Sequence, residues 1–127
     1  TFEVAGDVYN SVNPGWRTNL IDGIITTAWN FTAPFSEMRE DQDRITNELL
    51  PPLEEITPAA AYMNEGNFRQ PNWQEVFYGE NYDRLLSIKN KYDPEHLFYA
   101  LTAVGSEYWV PETEFGRLCK AQASDEL

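Results

Sequence analysis

Tyr62-Met63-Asn64-Glu65 carries the residue types in this chain best suited to moving a proton beside a bound organic molecule. A phenol or a carboxylate can withdraw a proton, and an asparagine amide can donate to a carbonyl oxygen or a ring nitrogen. Alternation along a strand sends Tyr62 and Asn64 to one side and Met63 and Glu65 to the other. Two polar-tipped side chains then share a face, an arrangement open to a structural as well as a chemical use.

Other chemistries are thinly represented. The chain has no Gly-rich phosphate loop, no metal-spaced His/Cys set and no Ser-His-Asp candidate. His96, the only histidine, follows Asp93-Pro94-Glu95 and reads as a solvated or capping turn residue rather than a general base. Glu37, Glu40, Asp41 and Asp43, and likewise Glu54-Glu55, read as a solvated helix face. The single cysteine, Cys119, cannot close an internal disulfide; it is either a free thiol or the partner of a cysteine outside these residues.

The elements that must position these groups follow from periodicity. Residues 2–30 alternate as two strands would: Phe2, Val4, Val8 and Tyr9 lead to a turn at Asn13-Pro14-Gly15, and the run to Trp29 carries Leu20, Ile21, Ile24 and Ile25. Asp22-Gly23 marks either a bulge or a second turn inside that run. From Ser36 the pattern predicts a charged helix, capped by Ser36, with Met38, Ile45 and Leu49 near one face and Pro51-Pro52 at its end. The alanines of Ala59-Ala60-Ala61 favour helix on propensity alone, though the short apolar run also suits a strand. Helices are predicted from about 73 to 78 and about 81 to 91, the second closed by Asp93-Pro94.

A chain of 127 residues has the size of one domain. Its 42% hydrophobic and 14% aromatic content excludes a disordered acidic tail in spite of a net charge of −12. That charge, with nine basic residues, opposes binding to nucleic acid and to anionic membranes. No run approaches the ~18 apolar residues of a bilayer span, and Thr1-Phe2-Glu3-Val4 opens no basic region ahead of an apolar one, so neither anchor nor signal peptide is expected. A first residue of Thr rather than Met leads us to expect a piece of a longer chain.

Tyr78-Gly79-Glu80-Asn81-Tyr82, running into Arg84-Leu85-Leu86 and Ile88-Lys89 and closed by Asp93-Pro94, carries a joint pattern far more specific than any of its parts. In order and spacing it resembles the C-terminal signature of the berberine bridge enzyme-like FAD-linked oxidases, within the vanillyl-alcohol oxidase type flavoproteins. Tyr62-x-Asn64 matches the Tyr-x-Asn that precedes that signature and lies beside the flavin in the family. Asn13-Pro14-Gly15-Trp16-Arg17 is similar to the family's Asn-Pro-x-x-Arg entry into a strand of the substrate-binding sheet. Gly105-Ser106-Glu107-x-Trp109 resembles the close of many fungal members, and from about Val110 the match ends.

The resemblance implies an α+β fold, the C-terminal part of a two-domain flavoprotein. Residues 1–58 would end the substrate-binding domain, as antiparallel strands and one outer helix. Residues 59–127 would return into the FAD-binding domain, with Ala59–Glu65 as a buried strand. FAD is the implied cofactor, with Tyr62, Asn64 and Asn81 as its contacts; Asn81 also suits a plain helix cap. Some plant members carry a catalytic tyrosine just after the Tyr-x-Asn asparagine. Glu65 stands there in this chain, so the base is Glu65, Tyr62 or a residue outside these 127. The implied reaction is oxidation of a small organic substrate by hydride transfer to flavin, with molecular oxygen as acceptor. The implied partner is the N-terminal FAD-binding portion of the same enzyme, which would hold any covalent flavin link, and residues 1–127 alone would be inactive.

A different class of protein, a stand-alone acidic interaction module without catalysis, fits the same composition. Exposure separates the two: a piece of an enzyme leaves Tyr62, Trp73, Phe77, Tyr82 and Phe98 uncovered, whereas a module buries them. For compartment, Asn30-Phe31-Thr32 is an N-glycosylation acceptor and Ser124-Asp125-Glu126-Leu127 is close to an endoplasmic-reticulum retrieval signal. With the family's frequent secretion they lead us to expect a glycoprotein of the secretory pathway or the extracellular space.

Overall fold

Asn13-Pro14-Gly15-Trp16-Arg17 folds into a 3-10 turn over Pro14–Arg17, with Asn13 as its cap. The computed structural model describes residues 9–28, 30–58, 60–112 and 116–121. Phe2, Val4, Val8, Trp29, Ala59 and Ser124–Leu127 lie outside them. The chain divides between Asn81 and Tyr82 into two compact units.

In the first unit, the strand expected from Trp16 onward is absent among its described residues, 16–28, while the one expected ahead of the Asn13-Pro14-Gly15 turn lies almost wholly outside the described residues. Residues 19–28 make no backbone hydrogen bond there, and Leu20 and Ile21 are 94% and 80% exposed. The physical reason is that a strand exists only against a neighbour, and nothing here supplies one.

Helix α1 runs Phe35–Arg44. It starts one residue before Ser36, because Pro34 holds φ at −57° and its carbonyl accepts from Glu37 N at 3.0 Å. Ser36 therefore sits inside the first turn and caps nothing. Pro51-Pro52 does not end the helical path. It passes through a π-helical turn, Ile45–Leu49, into α2, Pro51–Glu54, because a proline lacks only the N–H that a first helical turn leaves unpaired anyway.

Of the buried strand expected at Ala59–Glu65, the described residues, 60–65, form none. Residues 60–65 form an irregular stretch ending in a turn, with Glu65 N donating to the Tyr62 carbonyl at 3.0 Å. Helix α3, Trp73–Tyr78, falls where the pattern predicts it. Its Val76 and Phe77, 4% and 5% exposed, are the buried apolar side chains among the described residues. A self-contained domain near this length removes roughly two thirds of its unfolded surface from water, which needs a far larger core.

In the second unit, α4 spans Tyr82–Tyr92, with Lys89 and Lys91 in its last turn where the helix dipole favours positive charge. Asp93 closes it. Its carboxylate takes a hydrogen bond from Lys89 Nζ and accepts from Leu97 N at 2.9 Å and Phe98 N at 3.0 Å. Together these hold its pKa down to about 2, the Lys89 hydrogen bond being the largest cause and burial opposing it. His96 has φ of 51° and is buried rather than solvated, its ring stacked on Tyr108 at 3.7 Å. An antiparallel pair, β1 (Trp109–Pro111) and β2 (Leu118–Lys120), with Val110 opposite Cys119, follows where the sequence match stops. Cys119 is a half-buried free thiol.

Of the five aromatics that separate enzyme piece from module, Tyr62 and Phe98 are exposed, Trp73 and Tyr82 half-buried, and Phe77 buried. Phe77 departs from the expectation because Gly66 lies against it: a Cβ on Gly66 would sit 2.7 Å from Phe77 Cε1.

Candidate functional site

One carbonyl of α3 ties residues 60–66 to the 13–17 turn. Val76 O, in α3, accepts from Ala61 N at 2.9 Å and from Asn13 Nδ2 at 2.8 Å. One oxygen with two lone pairs thus joins the 13–17 turn, the 60–66 stretch and α3. Asn13 Oδ1 in turn accepts from Gly15 N at 2.9 Å, so the buried amide is satisfied at both ends.

Glycine permits the approach. A Cβ on Gly15 would lie 2.6 Å from that of Ala60, too close for any other residue. Gly79, which ends α3 at φ 56° and ψ −144°, places its Cα where a Cβ would meet Asn13 Oδ1 and Pro14 Cδ, each at 3.3 Å. That backbone region is open to glycine almost alone.

Within this frame the structure brings Tyr62 and Asn64 together. Asn64 Nδ2 donates to the Tyr62 hydroxyl at 2.6 Å, through a turn rather than through the alternation of a strand. The Tyr62 ring, 47% exposed, meets Trp16 edge-on, with centroids 6.3 Å apart and planes at 85°. Glu65 is exposed on the same turn, and Met63 is engaged on its own account, its Sδ accepting from the Tyr78 hydroxyl at 2.9 Å.

Asn81 is placed elsewhere, in a 3-10 turn over Gly79–Asn81. Only 2% exposed, it donates from Nδ2 to the Val12 carbonyl at 2.9 Å. Its Oδ1 is buried without a hydrogen-bond partner among the described residues, so it does not cap α4. Leaving such an acceptor unpaired costs about 1–3 kcal/mol, so it is open to a donor other than the described residues, water included. A buried acceptor of this kind suits FAD, which carries ring N–H and hydroxyl donors.

Sequence reasoning missed Asn13, Trp16 and Gly79 as members of the site. Asn13-Pro14-Gly15 was read as a turn and, by resemblance, as part of the entry into a substrate-domain strand, and the signal that could have found more was the odd company of a buried-type Asn and two glycines in two separate motifs. Among the described residues no helix is long and apolar enough to cross a membrane, and no cluster of His, Cys, Asp and Glu could hold a metal ion.

Residues 61–105 match the family model described as berberine and berberine like. The chain is 48% identical over 112 residues to the FAD-linked oxidoreductase ZEB1 of Gibberella zeae, covering 87% of this chain and 20% of that protein. It is 48% identical over 119 residues to the FAD-linked oxidoreductase patO of Penicillium expansum, covering 93% of this chain and 21% of that one. The crystal structure of the VAO-type flavoprotein MtVAO615 from Myceliophthora thermophila C1 superposes with a TM-score of 0.78 at 41% identity, over 88% of this chain and 20% of that one. The chain thus spans about a fifth of the length of the relatives it matches. On these matches the chain belongs to the berberine bridge enzyme-like, VAO-type FAD-linked oxidoreductases, of which it is a C-terminal portion.

Proposed function

We propose that this chain completes an FAD-dependent oxidoreductase that oxidises a small organic substrate, with an N-terminal portion of the same enzyme as its partner and oxygen as acceptor. When bound, FAD supplies the ring that takes up hydride. The residues of this chain orient it and manage a proton.

The observation that carries the reading is the Asn64–Tyr62 hydrogen bond. The Asn64 amide fixes the Tyr62 oxygen, which can take a proton from a bound molecule once its own has left. Tyr62 is therefore our choice of base, and Glu65, on the same turn but with no hydrogen bond fixing its carboxylate among the described residues, is the alternative. Asn81 offers Oδ1 to an FAD donor. Exposed apolar side chains such as Leu20 and Ile21 are the surface on which the N-terminal portion closes. The same reading takes the enzyme through the secretory route, where exposed Asn30 would carry a glycan.

The test uses the full-length enzyme, purified natively. It is expected to be yellow, and after anaerobic photoreduction it should reoxidise in air with release of peroxide. A colourless protein overturns the reading, and a reduced flavin indifferent to air removes oxygen as acceptor. Residues 1–127 alone should retain no yellow colour after mixing with FAD and removal of the free cofactor by gel filtration.

A further inference from the structure

We infer that Trp16 is a positioning residue that sets the Tyr62 phenol toward the flavin. The inference rests on the proposed place of Tyr62 beside FAD and goes beyond it by naming what holds the phenol there.

Tyr62 has few constraints of its own. It lies in an irregular stretch, its side chain is 47% exposed, and Asn64, which holds its hydroxyl, is itself exposed. A hydrogen bond between two exposed side chains on one turn fixes the tip relative to that turn but not the direction of the ring. Trp16 supplies the second point, since its edge-on contact at 6.3 Å and 85° restricts swing of the ring about its χ angles.

Trp16 is in turn held by buried groups. Its backbone N donates to Asn13 O at 3.2 Å, and Asn13 is tied to Val76 at 2.8 Å. Because the same Val76 oxygen takes Ala61 N, the residue just before Tyr62, both partners of the ring pair are referred to one atom of α3. The 2.6 Å that would separate a Cβ on Gly15 from Ala60 shows how little slack lies between the two segments. A rotation of the Trp16 turn is thereby passed to the phenol.

The test reads the flavin and needs no substrate. Sodium sulfite adds to oxidised flavin and bleaches its visible band, and its dissociation constant reports the groups around the ring. In the full-length enzyme, Tyr62→Phe should change that constant about tenfold and Trp16→Ala by a similar factor, since misplacing a group by about 1 Å can erase its effect. Trp16→Phe should return it to within about twofold, and Trp16→Ala in the Tyr62→Phe background should add less than about twofold, the mark of two residues acting as one. Trp16→Leu, which fills the space without an aromatic edge, repeats the measurement where Trp16→Ala does not fold. Additive effects, or a Trp16 variant that leaves the constant unchanged while Tyr62→Phe alters it, overturn this inference alone. An unchanged constant in Tyr62→Phe overturns the placement of Tyr62 and the inference with it.

Discussion

Asn13 donates from its buried side-chain amide to the Val76 carbonyl at 2.8 Å, across 63 residues of sequence. The bond joins the turn that carries Trp16 to the helix that carries the core. Both ends of the amide are used, since Oδ1 also accepts from Gly15 N.

Asn13→Ala should therefore be costly for a substitution in a turn. It removes one donor to Val76 O and the acceptor of Gly15 N, a loss of about 1–3 kcal/mol for buried groups left unpaired. Thermal unfolding of the full-length enzyme checks it, with Gly23→Ala as control, because nothing lies within 4 Å of a Cβ at Gly23. Equal midpoints for the two variants would remove the tie from the account.

Asn81→Ala tests the buried acceptor. The variant deletes Oδ1, and if FAD supplies the donor, the visible bands of the bound flavin should shift and sulfite affinity should change by about the tenfold that one hydrogen bond near 1.4 kcal/mol represents. A native spectrum with a lowered unfolding temperature would assign Asn81 to the Val12 bond alone.

How much of this was legible in the sequence depended on whether the cause was local. Helix α3 and the start and stop of α4 were readable because an apolar 3.6-residue pattern and Asp93-Pro94 act within a few residues. The strand expected from Trp16 is not formed over 16–28, although Ile and Thr there favour β-structure, because pairing depends on a neighbour that sequence propensity does not name. Tyr62 and Asn64 do lie together, but not by the strand alternation expected: a turn brings them to 2.6 Å. Trp16 was beyond reach, because its contact with Tyr62 depends on Asn13 and Val76 meeting over a long separation.

Asn30→Gln tests the secretory reading. Asn30 is exposed in a turn where its Oδ1 accepts from Thr32 Oγ1 at 2.8 Å and Thr32 N at 3.1 Å, leaving the amide nitrogen directed outward for modification. Expressed in a fungal host, the wild-type enzyme should lose the mass of one N-glycan relative to its variant when treated with an endoglycosidase specific for N-linked sugars. Identical masses before and after treatment would place the sequon among chance matches.

Asp93 gives a prediction with a definite sign in pH. Its folded pKa of about 2 lies below the ordinary aspartate value of 3.8, held there first by the Lys89 hydrogen bond and then by the Leu97 and Phe98 amides. Between these two values the unfolded chain binds the proton more readily than the folded one, so acid favours unfolding. The contribution is complete above the unfolded value and is lost as the pH falls through the folded one. Asp93→Asn, which removes the charge but keeps an acceptor oxygen, should thus lower the unfolding temperature of the full-length enzyme most at pH 5 to 6. Relative to wild type, that deficit should shrink as pH falls toward about 2, where the wild-type carboxyl is itself protonated. A deficit independent of pH would mean that Asn disturbs packing at the end of α4 and that the charge on Asp93 contributes nothing.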